Sequence, residues 1–347
     1  MSVQNLFFFL SGEHETLPAS ELEAILDTEE FPFKVTEKLE QVLRLKASPA
    51  CTEVLRQRAA FTRLCVLELF KCPADMLSIV KTLSVAKLDK VLKENETFVV
   101  RIRHVKTYSQ EINGMLLEQK LGELILRNVH RTRVNLRNPD KTFIGILTNN
   151  ALVFGLKLAD IPAGPFVQRR PRKRPFFHPS AMQAKLARCM VNLSHVKKGE
   201  LILDPFCGTG TMLIEAALIG CRPVGLDVQR RMARGTLRNM SHFKVRPEAV
   251  ILADARELPL CKIDCIVTDP PYGTSSTTLR RTTKQIIEEI LLSAYVLIDR
   301  GRRICIAAPK KLEIVESGKR SGYKHIESHF VYVHRSLTRE IVVFQKV

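Results

Sequence analysis

Tryptophan is absent from the 347-residue chain, aromatic residues make up only 6%, and acids are scarce, 36 against 54 Lys and Arg. That deficit leaves a formal net charge of +18, and a surplus of this size favours a polyanion, either nucleic acid or an anionic membrane. Long apolar runs are missing too. Leu6-Phe-Phe-Phe-Leu10 is too short for a signal-peptide core and follows no basic residue, and no stretch reaches the length of a membrane span. The nine cysteines include no C-x-x-C pair, and an odd count without metal spacing points to reduced, buried thiols in the cytoplasm. Cys261 and Cys265 flank a strand with no His nearby and read as core rather than as zinc ligands.

What is present is an ordinary apolar fraction of 45% with 26% charged residues, enough for two or three domains with real cores. The chain is organised around Leu201-Ile-Leu-Asp204-Pro-Phe206-Cys-Gly208-Thr209-Gly210-Thr211, which reads as a buried strand, a glycine turn and a helix, Met212 to Ile219, ended by Gly220. Gly208 and Gly210 let the backbone turn tightly and let a ligand come close. A dinucleotide loop would want a third small residue where Leu213 stands, and Asp204 would repel a pyrophosphate. The loop therefore looks more like a site for S-adenosylmethionine, which carries no phosphate.

Upstream, residues 1–46 combine short strands (Leu6–Leu10, Val42–Leu45) with a helix over Pro18–Leu26. Helices near Thr52–Ala60 and Ala74–Leu83 bracket a strand, Arg63–Phe70. Thr97–Val105 alternates as a half-buried strand with Arg101 and Arg103 outward. Ile112–Val129 predicts an amphipathic helix with Leu116, Leu117, Leu121, Leu124 and Ile125 on one side. Strands Thr142–Leu147 and Ala151–Leu156 meet at a hairpin turn, Asn149-Asn150.

The run Val134-Asn-Leu-Arg-Asn-Pro-Asp140, then a strand, a turn and Val153-Phe-Gly-Leu-Lys157, resembles the end of a THUMP domain, an α+β module of tRNA-modifying enzymes that holds the acceptor end. Arg127, Arg131, Arg133, Arg137 and Lys141 cluster there, as phosphate contacts would require. Residues 160–179 follow with five prolines and the run Arg169-Arg170-Pro-Arg172-Lys173-Arg174. Prolines stiffen such a linker, and its cations either touch RNA or form a solvated tether. A helix over Met182–Asn192, capped by Ser180, comes next.

From Leu201 onward strands and helices alternate, with strand ends at Asp204, Asp227, Asp254 and Asp269 and a closing hairpin, His329–His334 with Arg339–Phe344. Alternation of this kind gives a mostly parallel sheet covered by helices, and ligands bind outside the carboxyl ends of its strands. Asp204 and the loop residues Phe206, Gly208, Thr209, Gly210 and Thr211 face the methionine moiety. Asp227 is placed for the ribose hydroxyls, and Asp254 with Ala255 for the adenine amino group.

Asp269-Pro270-Pro271-Tyr272 matches the signature of methyltransferases that act on amino groups attached to aromatic rings. Such a nitrogen shares its lone pair with the ring. Accepting its N–H bonds at the Asp269 carboxylate and the Pro270 carbonyl frees that pair, while Pro271 stiffens the backbone, Tyr272 stacks on the base and Gly273 leaves room. A target in a paired stem would have to be extruded.

Taken together, Arg174-Pro-Phe-Phe-His-Pro-Ser180, Asp-Pro-Pro-Tyr-Gly, the length and the order of parts resemble the archaeal tRNA (guanine-10) N2-methyltransferases. The resemblance implies an α/β chain: a ferredoxin-like element (1–48), a THUMP domain (49–159), a linker (160–179) and a Rossmann-like methyltransferase domain (180–347) whose mostly parallel sheet ends in an antiparallel hairpin. It implies S-adenosylmethionine as cofactor, tRNA as partner, and Phe177 and His178 beside the cofactor. Some relatives use a small zinc-bearing activator subunit, of which this sequence gives no sign. A guanine-6 N2-methyltransferase, a non-catalytic tRNA-binding factor on the same scaffold and a DNA amino-methyltransferase remain as alternatives.

Overall fold

Continuous apolar runs such as Leu6–Phe8 and Leu64–Val66 are buried at consecutive positions, so their strands are covered on both faces. In the computed structural model, which describes residues 3–272 and 282–347, these strands run in chain order as follows. β1 (Gln4–Leu10) is followed by helix α1 (Leu17–Thr28), β2 (Lys34–Leu39), β3 (Val42–Ala47), α2 (Cys51–Arg58) and β4 (Thr62–Pro73). Then come α3 (Met76–Ser84), β5 (Thr97–His104), α4 (Gly114–Asn128), β6 (Arg133–Val134), β7 (Lys141–Thr148) and β8 (Ala151–Asp160). The chain divides into two compact units. The first takes Met1–Glu13, Phe31–Arg56 and Thr62–Pro162; the second takes His14–Glu30, Gln57–Phe61 and Ala163–Val347.

In the first unit the eight strands form one sheet in the order β2-β3-β1-β4-β8-β7-β5-β6. The expected 48/49 boundary falls inside it: β1 lies between β3 and β4 and is hydrogen-bonded to both, so no sheet edge separates the earlier strands from the later ones. β7 and β8 meet at Asn149-Asn150, both with positive φ (46° and 56°), the conformation a two-residue hairpin loop demands. Leu117, Leu121 and Ile125 of α4 are buried, but Leu116 is 62% exposed. Leu116 lies about 100° from Leu117 and farther still from Leu121 and Ile125, which takes it off the buried face.

The second unit continues with α5 (Gly164–Gln168), α6 (Ala184–Leu193), β9 (Leu201–Asp204), α7 (Thr211–Leu218), β10 (Arg222–Asp227), α8 (Arg230–His242) and β11 (Ala249–Leu252). β12 (Cys265–Thr268), α9 (Thr283–Tyr295), β13 (Arg303–Pro309), α10 (Ile314–Arg320), β14 (Tyr323–His334) and β15 (Leu337–Lys346) complete it. The strand order is β11-β10-β9-β12-β13-β15-β14, and of these seven only β15 runs in the opposite direction, antiparallel to both β13 and its hairpin partner β14. Order reverses between β9 and β12, the switch point where open α/β sheets bind ligands.

Residues 14–30 and 57–61 join this unit through a buried carboxylate. Glu21 of α1 accepts hydrogen bonds from the backbone N–H of Ala60 (3.0 Å) and Phe61 (2.8 Å) and from Asn192 Nδ2 (2.9 Å) of α6. Burial pushes the Glu21 carboxyl up to about 7 despite these donors. The proline-rich segment 160–179 holds α5 and a single 3-10 turn, Pro171–Lys173, so it is ordered rather than free of structure. Ser180 does not cap α6, whose N-cap is Gln183; its hydroxyl is bonded to His178 Nδ1 instead (2.7 Å). All nine cysteines are free and eight are buried; Cys261, expected in the core, is exposed. No helix among the described residues is long and apolar enough to cross a membrane.

Candidate active site

β9 delivers Asp204 to the switch point with the side chain only 3% exposed. Its Oδ1 accepts from Thr268 Oγ1 (2.8 Å) and from the Phe206 N–H (3.1 Å). Burial, reinforced by the nearby Asp269 and Asp227 charges, raises this carboxyl to about 7. The turn that follows needs left-handed backbone at Gly208 (φ +52°) and Gly210 (φ +79°), and a Cβ at Gly210 would stand 2.8 Å from Thr236 Cγ2. The turn is tied to the end of β10, where Asp227 accepts from the N–H groups of Gly208 (3.0 Å) and Gln229 (2.8 Å). A carboxylate has about four acceptor positions, so Asp227 keeps capacity for ligand hydroxyls.

Asp269 follows β12 and is held from two sides. Arg339 Nη2 of β15 lies 3.1 Å from Asp269 Oδ2, and the Tyr272 hydroxyl donates to Oδ1. Arg339 Nε in turn donates to the Tyr272 hydroxyl (2.9 Å), and its guanidinium stands 5.5 Å from the centre of the tyrosine ring. Burial pushes the Asp269 carboxyl up, and the Arg339 charge pulls it back. Pro271 is fixed by its carbonyl, which accepts from Thr283 Oγ1 at the start of α9 (3.0 Å). Gly273 lies outside the described residues.

These groups face one cleft of about 360 Å³, lined among others by His178, Phe206, Gly208, Asp227, Pro270 and Tyr272. A deeper pocket of about 80 Å³, reached by Asp204, Thr209 and Thr211, shares His178, Ser180, Phe206, Gly208, Met232 and Asp269 with it. The glycine turn presents no lysine or arginine to a pyrophosphate. Three carboxylates, Asp204, Asp227 and Asp269, instead surround the space. Such a donor set fits S-adenosylmethionine, which is cationic at sulfur and ammonium and carries hydroxyl and amino groups. No group of His, Cys, Asp or Glu among the described residues could hold a metal ion.

Not every expected residue arrives there. Asp254 lines neither pocket; its carboxylate grips the guanidinium of Arg256 two residues on (2.9 Å to Nε), and Ala255 is buried against Ile286 and Ile290 behind Phe206. Phe177 is 42% exposed and away from the cleft. Its neighbour Phe176 turns inward instead: its N–H donates to Asn239 Oδ1 of α8, and Asn239 Nδ2 donates back to its carbonyl (both 2.9 Å). Asn239 Nδ2 also reaches the Thr209 carbonyl, which fastens this segment to the glycine turn.

The expected RNA-contacting cations also divide. Arg169 is paired with the fully buried Glu215 of α7 (2.6 Å), which Arg188 also reaches (2.9 Å). Arg174 is 5% exposed and donates to Thr211 Oγ1 and the Arg169 carbonyl. These two guanidiniums brace α7 and are not free for phosphate. Arg170, Arg172 and Lys173 are exposed. In the first unit Arg127, Arg133 and Arg137 are exposed, while Arg131 and Lys141 stand near Glu94 (3.8 Å) and Glu96 (3.5 Å).

Arg339, Met232 and Arg231 line the cleft although nothing local in the sequence marks them. Arg339 comes from a distant antiparallel strand, and the other two lie in the first turn of α8. The only hint available was that α8 follows directly on the Asp227 strand end.

Comparison with known proteins adds the following. Residues 73–156 match the THUMP domain family, and residues 171–340 match the family described as RMKL-like, methyltransferase domain. The chain is 38% identical to a tRNA (guanine(10)-N2)-dimethyltransferase of Methanothermobacter thermautotrophicus over 99% of both chains. It is 33% identical to a protein of the same name from Methanocaldococcus jannaschii, over 98% of this chain and 99% of that one. The crystal structure of TrmN from Thermus thermophilus shares the fold, with a TM-score of 0.55 at 19% identity, covering 99% of this chain and all of that one.

Proposed function

Since the chain belongs to the family of tRNA (guanine(10)-N2)-dimethyltransferases, we propose that it methylates the exocyclic amino nitrogen of guanosine 10 in tRNA, one methyl group after another, in the cytoplasm. S-adenosylmethionine supplies an electrophilic methyl group on a sulfonium that leaves readily. The remaining work falls to residues of this chain. Asp204 and Asp227 hold the donor's cationic and hydroxyl groups beside the glycine turn. The guanine amino group takes the place of the Tyr272 hydroxyl at Asp269 Oδ1, and its second N–H faces the Pro270 carbonyl. For the first methyl both bonds draw the nitrogen toward tetrahedral geometry and free its lone pair. As N–C forms and S–C breaks, releasing a neutral thioether, the nitrogen gives its proton to the Asp269 carboxylate, which passes it to water. For the second methyl the one N–H that is left is held by Asp269 alone. Arg339 keeps Asp269 ionised and aimed, so that positioning for in-line attack supplies much of the acceleration.

One observation carries this reading: Asp269 and Pro270 line the same cleft as Gly208 and Asp227, across the strand-order reversal. The tRNA itself would be held in part by the first unit, where the THUMP match coincides with the exposed Arg127, Arg133 and Arg137. The test is transfer of labelled methyl groups to unmodified tRNA transcripts, followed by nucleoside analysis. Wild type should yield N2-methylated guanosine, and a transcript with adenosine at position 10 should accept nothing. D269A should lower turnover by about 10²-fold or more, the scale of a lost transition-state contact. Undiminished turnover in folded D269A would refute the assignment.

A further inference from the structure

Helix α8 carries an arginine stripe that the reaction itself does not use. Its sequence, Arg230-Arg-Met-Ala-Arg-Gly-Thr-Leu-Arg238-Asn-Met-Ser-His, contains no acid. Arg230, Arg234 and Arg238 recur at every fourth position, which places them in one line along the helix about 6 Å apart. All three are exposed, and none forms an ion pair or a side-chain hydrogen bond among the described residues. Like charges four apart destabilise a helix, so the stripe is not explained by the stability of α8.

The stripe also has a shape. Together with Arg231 it walls a groove of about 390 Å³ whose floor is Phe176. Gly235 makes that floor: a Cβ there would sit 2.0 Å from the phenyl ring, so only glycine lets Phe176 lie flat against the helix. Arg231 stands 5.7 Å from the ring centre and lines both this groove and the cofactor cleft, so the groove opens directly beside the site of chemistry.

We infer that this groove binds the RNA strand next to the methylated nucleotide, each of Arg230, Arg234 and Arg238 taking a backbone phosphate. The inference rests on the proposed tRNA substrate and assigns the catalytic unit its own RNA track. A step of about four helical residues is comparable to the spacing of neighbouring phosphates along a strand, and a line of unpaired guanidiniums suits a polyanion of that repeat. Such contacts fix register without reading sequence, as a nucleotide drawn out of its stem requires.

The test uses the full chain and an unmodified tRNA transcript. Affinity is measured across a salt series for wild type, R230A/R234A/R238A and the matching triple lysine variant, with S-adenosylmethionine affinity and thermal unfolding in parallel. The alanine variant should bind tRNA at least tenfold more weakly. Its dependence of log affinity on log salt should be shallower by about 2–3, given 0.7–0.9 per phosphate contact, with cofactor affinity unchanged and unfolding temperature unchanged or raised. The lysine variant should recover most of the loss. Wild-type affinity and slope in a folded alanine variant would overturn the inference. If wild type binds tRNA through this stripe yet transfers no methyl group, the proposed reaction fails and the groove stands; if methylation proceeds while the stripe proves silent, the reverse holds.

Discussion

Asp269 sits between opposing influences, since burial favours its protonated form and the Arg339 guanidinium its carboxylate. An opposite charge in contact with a carboxyl favours its ionised form and holds its pKa down. Replacing Arg339 by Met should therefore raise the Asp269 pKa. Only the carboxylate accepts both a guanidinium and an amino N–H, so the acidic limb of the kcat/KM profile should move to higher pH. At pH values above the new limb, turnover should recover in part, and R339K should shift the limb less. An unmoved limb would leave Arg339 a structural residue. That side chain was invisible from sequence because its strand pairs with β13 by chain reversal. The Asp269 tetrapeptide itself was legible, since a strand end followed by Pro-Pro is a local signal. Asp254 shows the opposite failure: position at a strand end says nothing of where a carboxylate points, and Arg256 two residues on captures it. Phe177 turns outward while its neighbour Phe176 packs on Gly235, far along the chain, and neither lines the cleft.

Among elements, the segment from α5 to Phe176 gains most from the structure. Composition alone left its arginines undivided between RNA and solvent. No period exists in a proline-rich stretch to say which side chains turn inward. Glu215 decides it, because a carboxylate with no exposure in α7 requires cations, and Arg169 and Arg188 supply them. Removing Arg169 leaves Glu215 with Arg188 alone, and a lost hydrogen bond to a buried charged group costs about 1.5–3 kcal/mol. R169A should therefore lower stability by that order in urea unfolding followed by circular dichroism. R170A and R172A, both at exposed positions, should stay within about 0.5 kcal/mol of wild type. Equal effects at all three positions would contradict the brace.

At the scale of the molecule, the strand-helix alternation after Leu201 was readable because each parallel strand is a short apolar run between turn residues. The assignment of α1 was not. A helix with an ordinary amphipathic pattern gives no sign of which sheet it covers, and the acid that decides the matter, Glu21, looks solvent-bound in sequence. Leu17, Ala24, Ala60 and Phe61 share a core cluster with α6, so a fragment of residues 163–347 lacks part of its own interior. Produced alone, that fragment should show no cooperative thermal transition, whereas the full chain should. A sharp transition in the fragment would disprove the dependence.

Because the backbone passes between the two units at 13/14, 30/31, 56/57, 61/62 and 162/163, their genetic order is braided. A single crossover cannot lend the first unit to another protein intact; it would leave α1 behind or carry it away. Chimeras of this chain should therefore be grafted at all five crossings.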